Sequence, residues 1–353
     1  MSTHEAEKWS LDEDLRFITQ NVGDEWQKLD GAKIFITGGT GFIGRWLLES
    51  LLHAQKKFGL NIHATILTRN PDAFRLKAPH ICDLSHFTLL SGDVNTFEFP
   101  EGEFTHLIHA ATDASADLNE NNPLLMFDTV LEGTRQALNF AVAKNVRRVL
   151  YLSSGAVYGP QPWDVTNVPE DWSGSPDCTR AVNAYAEGKR AAEMLCAIYA
   201  KQFNLQISTA RIFALLGPHL TLDIHFAAGN FIRDAIEGKK IIVKSSGLAC
   251  RSYLYAADLT AMLWHMLLRA PAGRSYNVGS SESISIRELA QRVAELLGKS
   301  GYEILGQDDK GWNPGRYVPD TMRLENELGL TRTITLDQAI VRTAIWNGWK
   351  PWH

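Results

Sequence analysis

The sequence predicts an α/β fold, a doubly wound parallel sheet carrying a smaller C-terminal lobe, and three observations predict it. From Lys33 onward, short apolar runs alternate with longer helical patterns, as in a parallel sheet covered on both faces. The first of these runs leads straight into a glycine-rich turn and an apolar helix, the usual opening of such a sheet. At 353 residues, the chain can bury a core large enough for two lobes that share one cleft.

The elements follow in order. Ser10-Leu11-Asp12-Glu13 has the form of a capping box, and Leu15, Ile18, Val22 and Trp26 follow at helical spacing, which predicts an N-terminal helical extension over residues 1–30. Strands are expected at residues 33–37, 63–68, 88–90, 106–110, 148–153 and 206–213, with helices between them, for example over 46–56 and 124–144. Together they make a sheet domain over residues 31–216. The pattern then turns irregular from Gly217 to Asn230 and is rich in Gly, Ser and Pro after Gly238. The second lobe is therefore placed at residues 217–249 and 281–353, with 250–280 returning to the first domain. Helical patterns at 257–269 and 286–297 interrupt this part of the chain.

Composition excludes several classes of function. Lys plus Arg number 35 against 40 Asp plus Glu, so there is no broad basic field for nucleic acid and no such partner is expected. No apolar run reaches the roughly 18 residues of a membrane span, and residues 1–10 are polar rather than a signal peptide. A cytoplasmic protein without membrane contact is the expectation. Cys82, Cys178, Cys196 and Cys250 lie too far apart for a zinc site or a disulfide scaffold. They read as reduced structural thiols, and no metal is expected.

Residues 34–37 lead directly into Gly38-Gly39-Thr40-Gly41-Phe42-Ile43-Gly44. Such a turn needs residues without a Cβ so that the backbone can bend and approach a pyrophosphate, while the next helix offers unpaired N–H groups and a positive dipole end. Gly38, Gly41 and Gly44 fit those roles. The spacing resembles the Thr-Gly-x-x-Gly-Phe-Ile-Gly turn of the extended short-chain dehydrogenases/reductases, the family of NAD-dependent nucleotide-sugar epimerases and dehydratases. That resemblance implies a Rossmann-type domain with Phe42 and Ile43 beside the cofactor. The second strand ends Leu67-Thr68-Arg69, where an NAD enzyme usually carries an acidic residue for the ribose hydroxyls. A guanidinium forks onto a phosphate and a hydroxyl can assist, so Thr68 and Arg69 favour the 2′-phosphate of NADP over NAD, with Arg45 as a further cation. Asp93, in Ser91-Gly92-Asp93-Val94, matches the family position that contacts adenine, with Val94 next to it; an ordinary turn aspartate would read the same locally.

Tyr185 and Lys189 stand four residues apart, on one face of a helix. A phenol with a pKa of about 10 is a poor base at neutral pH, but a fixed ammonium and a nicotinium charge both favour the phenolate. Tyr185 can then exchange a proton with a sugar hydroxyl while hydride moves between that carbon and a nicotinamide. Both residues are candidates for catalysis and for cofactor binding. Upstream, residues 149–159 read as a buried strand ending in Ser153 and Ser154, hydroxyls at the edge where such sheets present their sites.

The resemblance makes Ser154 the residue that hydrogen-bonds the reacting oxygen, with Ser153 as its substrate-side neighbour. The same order of motifs runs from Lys33 to about Leu330: His109-Ala110-Ala111, Arg211-Ile212-Phe213, Gly229-Asn230-Phe231-Ile232, Arg251-Ser252-Tyr253, Tyr276-Asn277-Val278-Gly279 and Arg316-Tyr317-Val318-Pro319-Asp320. It implies that Ala110 and Ala111 lie beside the cofactor. Asn230 and Arg251 would hold the pyrophosphate of a nucleotide sugar, Arg316 being a further candidate. A homodimer through helices of the large lobe is also implied.

The chain departs from the family pattern at three places. The dehydratases of this family and its UDP-glucuronate decarboxylase carry a Glu, in the dehydratases often an Asp-Glu pair, just before the Val-Tyr-Gly that here is Val157-Tyr158-Gly159, whereas this chain has Gly155 and Ala156. Neither replacement can supply a second acid or base. Ala214 and Val130 stand where two family asparagines are usual. The expectation is a 4-epimerase or 4-ketoreductase acting on a nucleotide sugar. The alternatives are a dehydratase or decarboxylase drawing its acid from Glu170, Asp171 or Glu187, and a non-catalytic NAD(P)-binding protein.

Overall fold

The computed structural model describes residues 9–112, 116–222, 227–298, 301–307 and 315–350. In chain order, helix α1 (Leu11–Val22) is followed by β1 (Lys33–Thr37), α2 (Phe42–Phe58), β2 (His63–Thr68), α3 (Pro71–Lys77), α4 (Pro79–Cys82), β3 (Phe87–Ser91), β4 (His106–His109), α5 (Ala116–Asn121) and α6 (Pro123–Ala143). Next come β5 (Arg148–Ser154), α7 (Ala184–Phe203), β6 (Gln206–Ile212), β7 (Leu215–Leu216), α8 (Ala227–Ile236), β8 (Ile241–Val243), β9 (Cys250–Arg251), β10 (Leu254–Tyr255) and α9 (Ala256–Arg269). The chain ends with β11 (Arg274–Val278), β12 (Ile284–Ser285), α10 (Ile286–Leu297), β13 (Tyr302–Ile304), β14 (Arg316–Tyr317), α11 (Met322–Leu328) and α12 (Leu336–Trp346).

Seven strands form the main sheet in the order β11-β6-β5-β4-β1-β2-β3, every neighbouring pair parallel. The expected doubly wound sheet is present. Alternation along β1 shows why it is covered on both faces: Ile34 and Ile36 join a core that includes Trp46 and Trp264 from α2 and α9. Phe35 faces the other way, into a core with Leu138 and Phe140 of α6 and Leu195 of α7. The chain reverses its direction of travel across the sheet between β1 and β4, whose carboxyl ends Thr37 and His109 are paired. That switch point opens the crevice in which such sheets bind ligands.

Beyond Ile212 the chain builds smaller sheets from β7 with β10, β8 with β13, and β12-β9-β14, with α8, α10 and α12 around them. Between these, α9 packs on β5 and β6, and β11 joins the main sheet as its edge strand. The N-terminal helix α1 lies on α2 and α9. Its fully buried Asp14 accepts hydrogen bonds from Trp9 Nε1 at 2.8 Å, Tyr255 Oη at 2.7 Å and Arg342 Nη1 at 2.6 Å. The reciprocal capping box expected at Ser10 does not form. Ser10 Oγ accepts from the Asp12 N–H instead, and Glu13 is drawn to Arg342 at 2.8 Å, because a charged partner outcompetes a backbone N–H. Among the described residues no helix is long and apolar enough to cross a membrane, and no three His, Cys, Asp or Glu side chains are placed to hold a metal. None of the four cysteines is in a disulfide; Cys196 and Cys250 are buried while Cys178 is exposed.

Candidate active site

The glycine turn separates two kinds of glycine. Gly38 leaves β1 with φ at +71°, and a Cβ there would lie 2.5 Å from the backbone of Ala110 and Ala111. A Cβ on Gly44 would lie 2.3 Å from the Gly38 carbonyl oxygen, so both positions are fixed by the protein's own packing. Gly41 is different: among the described residues, its chain neighbours and the backbone of its own helix aside, the nearest atom to a Cβ there is the Gly38 carbonyl oxygen at 3.5 Å. Gly41 is the N-cap of α2, and among the described residues no side chain caps that helix. Uncapped N–H groups beside space that the protein itself leaves open suit the phosphates of a dinucleotide.

Around this turn, Thr37 Oγ1 accepts from the Ala111 N–H at 3.2 Å and lies 2.7 Å from His109 Nδ1. His109 reaches Thr134 on its other side at 3.1 Å. Burial, then the charge of Lys189, pushes His109 down to about 3, so it is a neutral strut between strand and helix. Thr68 is buried and accepts from the Asn70 N–H at 3.3 Å, while Arg69 is exposed beyond it. Arg45 is committed elsewhere, paired with Glu49 at 2.8 Å and bonded to the Lys77 carbonyl at 3.2 Å. Asp93 is exposed and accepts from the Asn95 N–H at 2.9 Å. Val94 is buried against α6, where a Cβ on Gly133 would lie 2.9 Å from it.

Tyr185, Lys189 and Ser154 converge at the carboxyl edge of β5. The first turn of α7 carries Tyr185, whose backbone N–H is held by Asn119 Oδ1 of α5 at 3.0 Å. Lys189 is buried one turn on; its Nζ donates to the Leu152 carbonyl and to Thr112 Oγ1, both at 2.7 Å. The ammonium lies 5.0 Å from the ring centre of Tyr151 and 6.0 Å from that of Tyr185. Burial pulls Lys189 down to about 7, with the Glu193 carboxylate countering. Burial pushes the Tyr185 phenol up, and the Ser154 hydroxyl draws it back.

Ser153 points away from this group. Its hydroxyl donates to Glu193 Oε1 at 2.6 Å, and Arg211 closes on the same carboxylate at 2.7 Å. Arg211 also donates to Tyr158 Oη at 2.8 Å, and Tyr158 donates to Asn277 Oδ1 at 2.7 Å. The Asn277 N–H donates to Glu170 Oε1 at 2.9 Å, so Glu170 belongs to this network. Glu187 pairs with Arg190 at 3.5 Å and Asp171 is exposed. The gap left by the family carboxylate has a steric cause at one of its two positions, since a Cβ on Gly155 would lie 2.5 Å from the Phe213 ring. Val130 is buried against Gly188 of α7, and Ala214 is half-buried.

Of the residues expected to bind substrate, Arg251 lies on β9, with its Nη1 on the Cys250 carbonyl at 2.8 Å. Asn230 lies on α8, its Oδ1 accepting from Arg233 at 3.2 Å. Arg316 is half-buried, its guanidinium 4.6 Å from the Trp163 ring centre and its Nη1 3.4 Å from the Thr166 carbonyl and from Ser283 Oγ. Its neighbour Tyr317, which sequence reading passed over, faces the site: Tyr317 Oη lies 3.4 Å from Ser154 Oγ. The signal was available, because successive strand residues face opposite ways. Thr112 and Glu193 were also missed, and nothing in their local sequence marks them.

A family model described as the NAD dependent epimerase/dehydratase family matches residues 34–279. UDP-glucuronic acid decarboxylase 6 of Arabidopsis thaliana is 29% identical over 309 residues, covering 87% of this chain and 86% of its own length. A dTDP-glucose 4,6-dehydratase from Streptomyces venezuelae, solved with NAD bound, superposes with a TM-score of 0.75 at 21% identity, over 89% of this chain and 96% of its own. UDP-glucose 4-epimerase from Thermotoga maritima, solved with UDP-glucose, gives 0.74 at 17% identity over 89% and 98%. At those identities, the two structural likenesses speak to the fold.

Proposed function

The chain belongs to the NAD dependent epimerase/dehydratase family, and from that premise we propose that it is an NAD(P)-dependent enzyme acting on a nucleotide sugar, of the 4-epimerase or 4-ketoreductase type. The observation that carries this reading is the convergence of Ser154, Tyr185 and Lys189 beside the open Gly41 turn, with Ala156 standing where a second acid would otherwise precede Val157. The uncapped N–H groups of α2 would hold the pyrophosphate, and Lys189, which among the described residues uses two of its three donors, would offer the third to a ribose hydroxyl. When bound, the dinucleotide supplies the hydride acceptor and donor. Tyr185 takes the proton of the sugar hydroxyl as its carbon is oxidised and returns it on reduction, Ser154 orients that oxygen, and the Lys189 charge favours the phenolate. Neither epimerisation nor keto reduction needs a further acid.

Thr68 and Arg69, with no acidic residue at the end of β2, support NADP as the preferred form. Exposed Leu124 and Leu125 on α6 and Met194 and Ile198 on α7 support a second copy docking on that face. A second reading, a decarboxylase, is favoured by the likeness to UDP-glucuronic acid decarboxylases and opposed by the absent carboxylate. The test is to denature the purified protein, identify the released dinucleotide, and weigh the products formed from UDP- and dTDP-sugars. An unchanged or two-hydrogen-heavier sugar is expected; loss of water or carbon dioxide would transfer the assignment to the dehydratase or decarboxylase branch.

A further inference from the structure

The longest hydrogen bonds at the site surround Ser154, and they tie it to a residue of the other lobe. Ser154 Oγ accepts the Ala156 N–H at 3.2 Å and lies 3.4 Å from Tyr317 Oη, which itself lies 3.4 Å from the Ile212 carbonyl. A hydroxyl has one proton and two lone pairs; the amide at one end can only donate and the carbonyl at the other can only accept. Two arrangements therefore satisfy the chain. In the first, Tyr317 donates to Ser154, both lone pairs of Ser154 are filled, and its proton turns to Tyr185. In the second, Tyr317 donates to Ile212 and accepts from Ser154, which keeps a lone pair for a proton that Tyr185 carries.

We propose that Tyr317 is a positioning residue for proton transfer at Tyr185: the Ile212–Tyr317–Ser154 chain reverses as Tyr185 gains or loses its proton, so that each form of the phenol meets a matching partner. The proposal rests on the reading of Tyr185 as the proton-transfer residue. The site is built to hold Tyr317 in place. Its ring packs on Phe213 with centroids 4.6 Å apart. Phe213 is in turn clamped between two glycines, Gly155 and Gly279, whose Cβ atoms would lie 2.5 and 3.0 Å from it. Register does the rest, because Tyr317 of β14 pairs with Arg251 of β9.

The groups that face Tyr185 are Lys189 on its own helix, Tyr151 and Ser154 on β5, and Tyr317 on β14; Arg251 and Tyr158 face Tyr317. Burial pushes both Tyr185 and Tyr317 up, and in both the Ser154 hydroxyl opposes it. Tyr317 thus stays a neutral phenol whose proton is free to choose between two acceptors.

Tyr317→Phe deletes the hydroxyl and keeps the ring on Phe213. With NAD bound, tyrosinate absorbance is followed against pH in the wild type, Tyr185→Phe and Tyr317→Phe; the component missing from Tyr185→Phe belongs to Tyr185. In Tyr317→Phe that component is expected to move by about half to one pH unit, the worth of one ordinary hydrogen bond, with NAD affinity unchanged. Ser154→Ala should move it too, and the double variant should move it no further, since Tyr317 acts only through Ser154. An unmoved component, or an additive double shift, overturns the proposal whatever the substrate is. If no component proves specific to Tyr185, the proposal and the reading beneath it both fall.

Discussion

Ser153 and Ser154 are neighbours at the end of β5, point opposite ways, and meet opposite surroundings. Behind Ser153, the shortest bond at each link of the Glu193–Arg211–Tyr158–Asn277 chain is between 2.6 and 2.8 Å. Around Ser154, contacts stretch to 3.4 Å, and the neighbouring buried Tyr151 hydroxyl makes no well-formed hydrogen bond among the described residues. The cations differ likewise. Burial pushes Arg211 down, but the Glu193 carboxylate more than offsets it and holds the guanidinium charged, whereas Lys189 is brought to about 7. A saturated network fixes geometry; an unsaturated one keeps capacity for a ligand and for protons.

Five experiments test that contrast. On the open side, Tyr185→Phe should lower turnover by about 10²–10⁴-fold with an unchanged melting temperature; retained turnover of an identified substrate would remove Tyr185 from the chemistry. On the saturated side, Glu193→Ala should cost about 3–5 kcal/mol in urea unfolding, because it leaves Arg211 buried and unpaired. A loss below about 1 kcal/mol would mean the network is a solvated pair, not scaffold.

Lys189 gives the pH dependence. Its folded value of about 7 lies below its ordinary 10.5, so between the two the unfolded chain binds more protons and stability rises with pH. That contribution is complete above 10.5 and is lost as pH falls to about 7. In cofactor-free protein, Lys189→Met should remove a slope of about 1.4 kcal/mol per pH unit across this window; parallel curves for the two proteins would contradict the burial of a titrating ammonium. The same contrast recurs within the glycine turn. Gly41→Ala should weaken NAD binding about tenfold and leave melting unchanged, while Gly44→Ala, which meets backbone at 2.3 Å, should lower melting first. Smallest of all, Arg69→Ala should reduce NADP affinity several-fold and spare NAD, as measured by titration; equal losses would place Arg69 outside the choice between the two dinucleotides.

Much of the sheet was legible because its strands are buried on both faces and read as unbroken apolar runs bounded by turn residues. Residues 33–37 and 63–68 were expected as strands and are β1 and β2. β11 was not among the expected strands, since Arg274-Ser275-Tyr276-Asn277-Val278 is polar enough to pass for a loop. It is an edge strand, and only one neighbour, β6, defines it. At the site, Tyr185 and Lys189 were legible from local spacing. Arg316 stands out in the sequence and Tyr317 does not, because charge is conspicuous there and side-chain direction is not.

A dinucleotide-type βα turn, a parallel sheet and a Tyr–Lys pair on one helical face follow from local sequence, because each is written in residues within a few positions of one another. It took the folded arrangement to assign Ser153 to the scaffold and Ser154 to the site, to set Phe213 against a side chain at Gly155, and to bring Tyr317 to Ser154 from 163 positions away. Those outcomes depend on strand pairing and packing between distant segments, and no local pattern of residues encodes them.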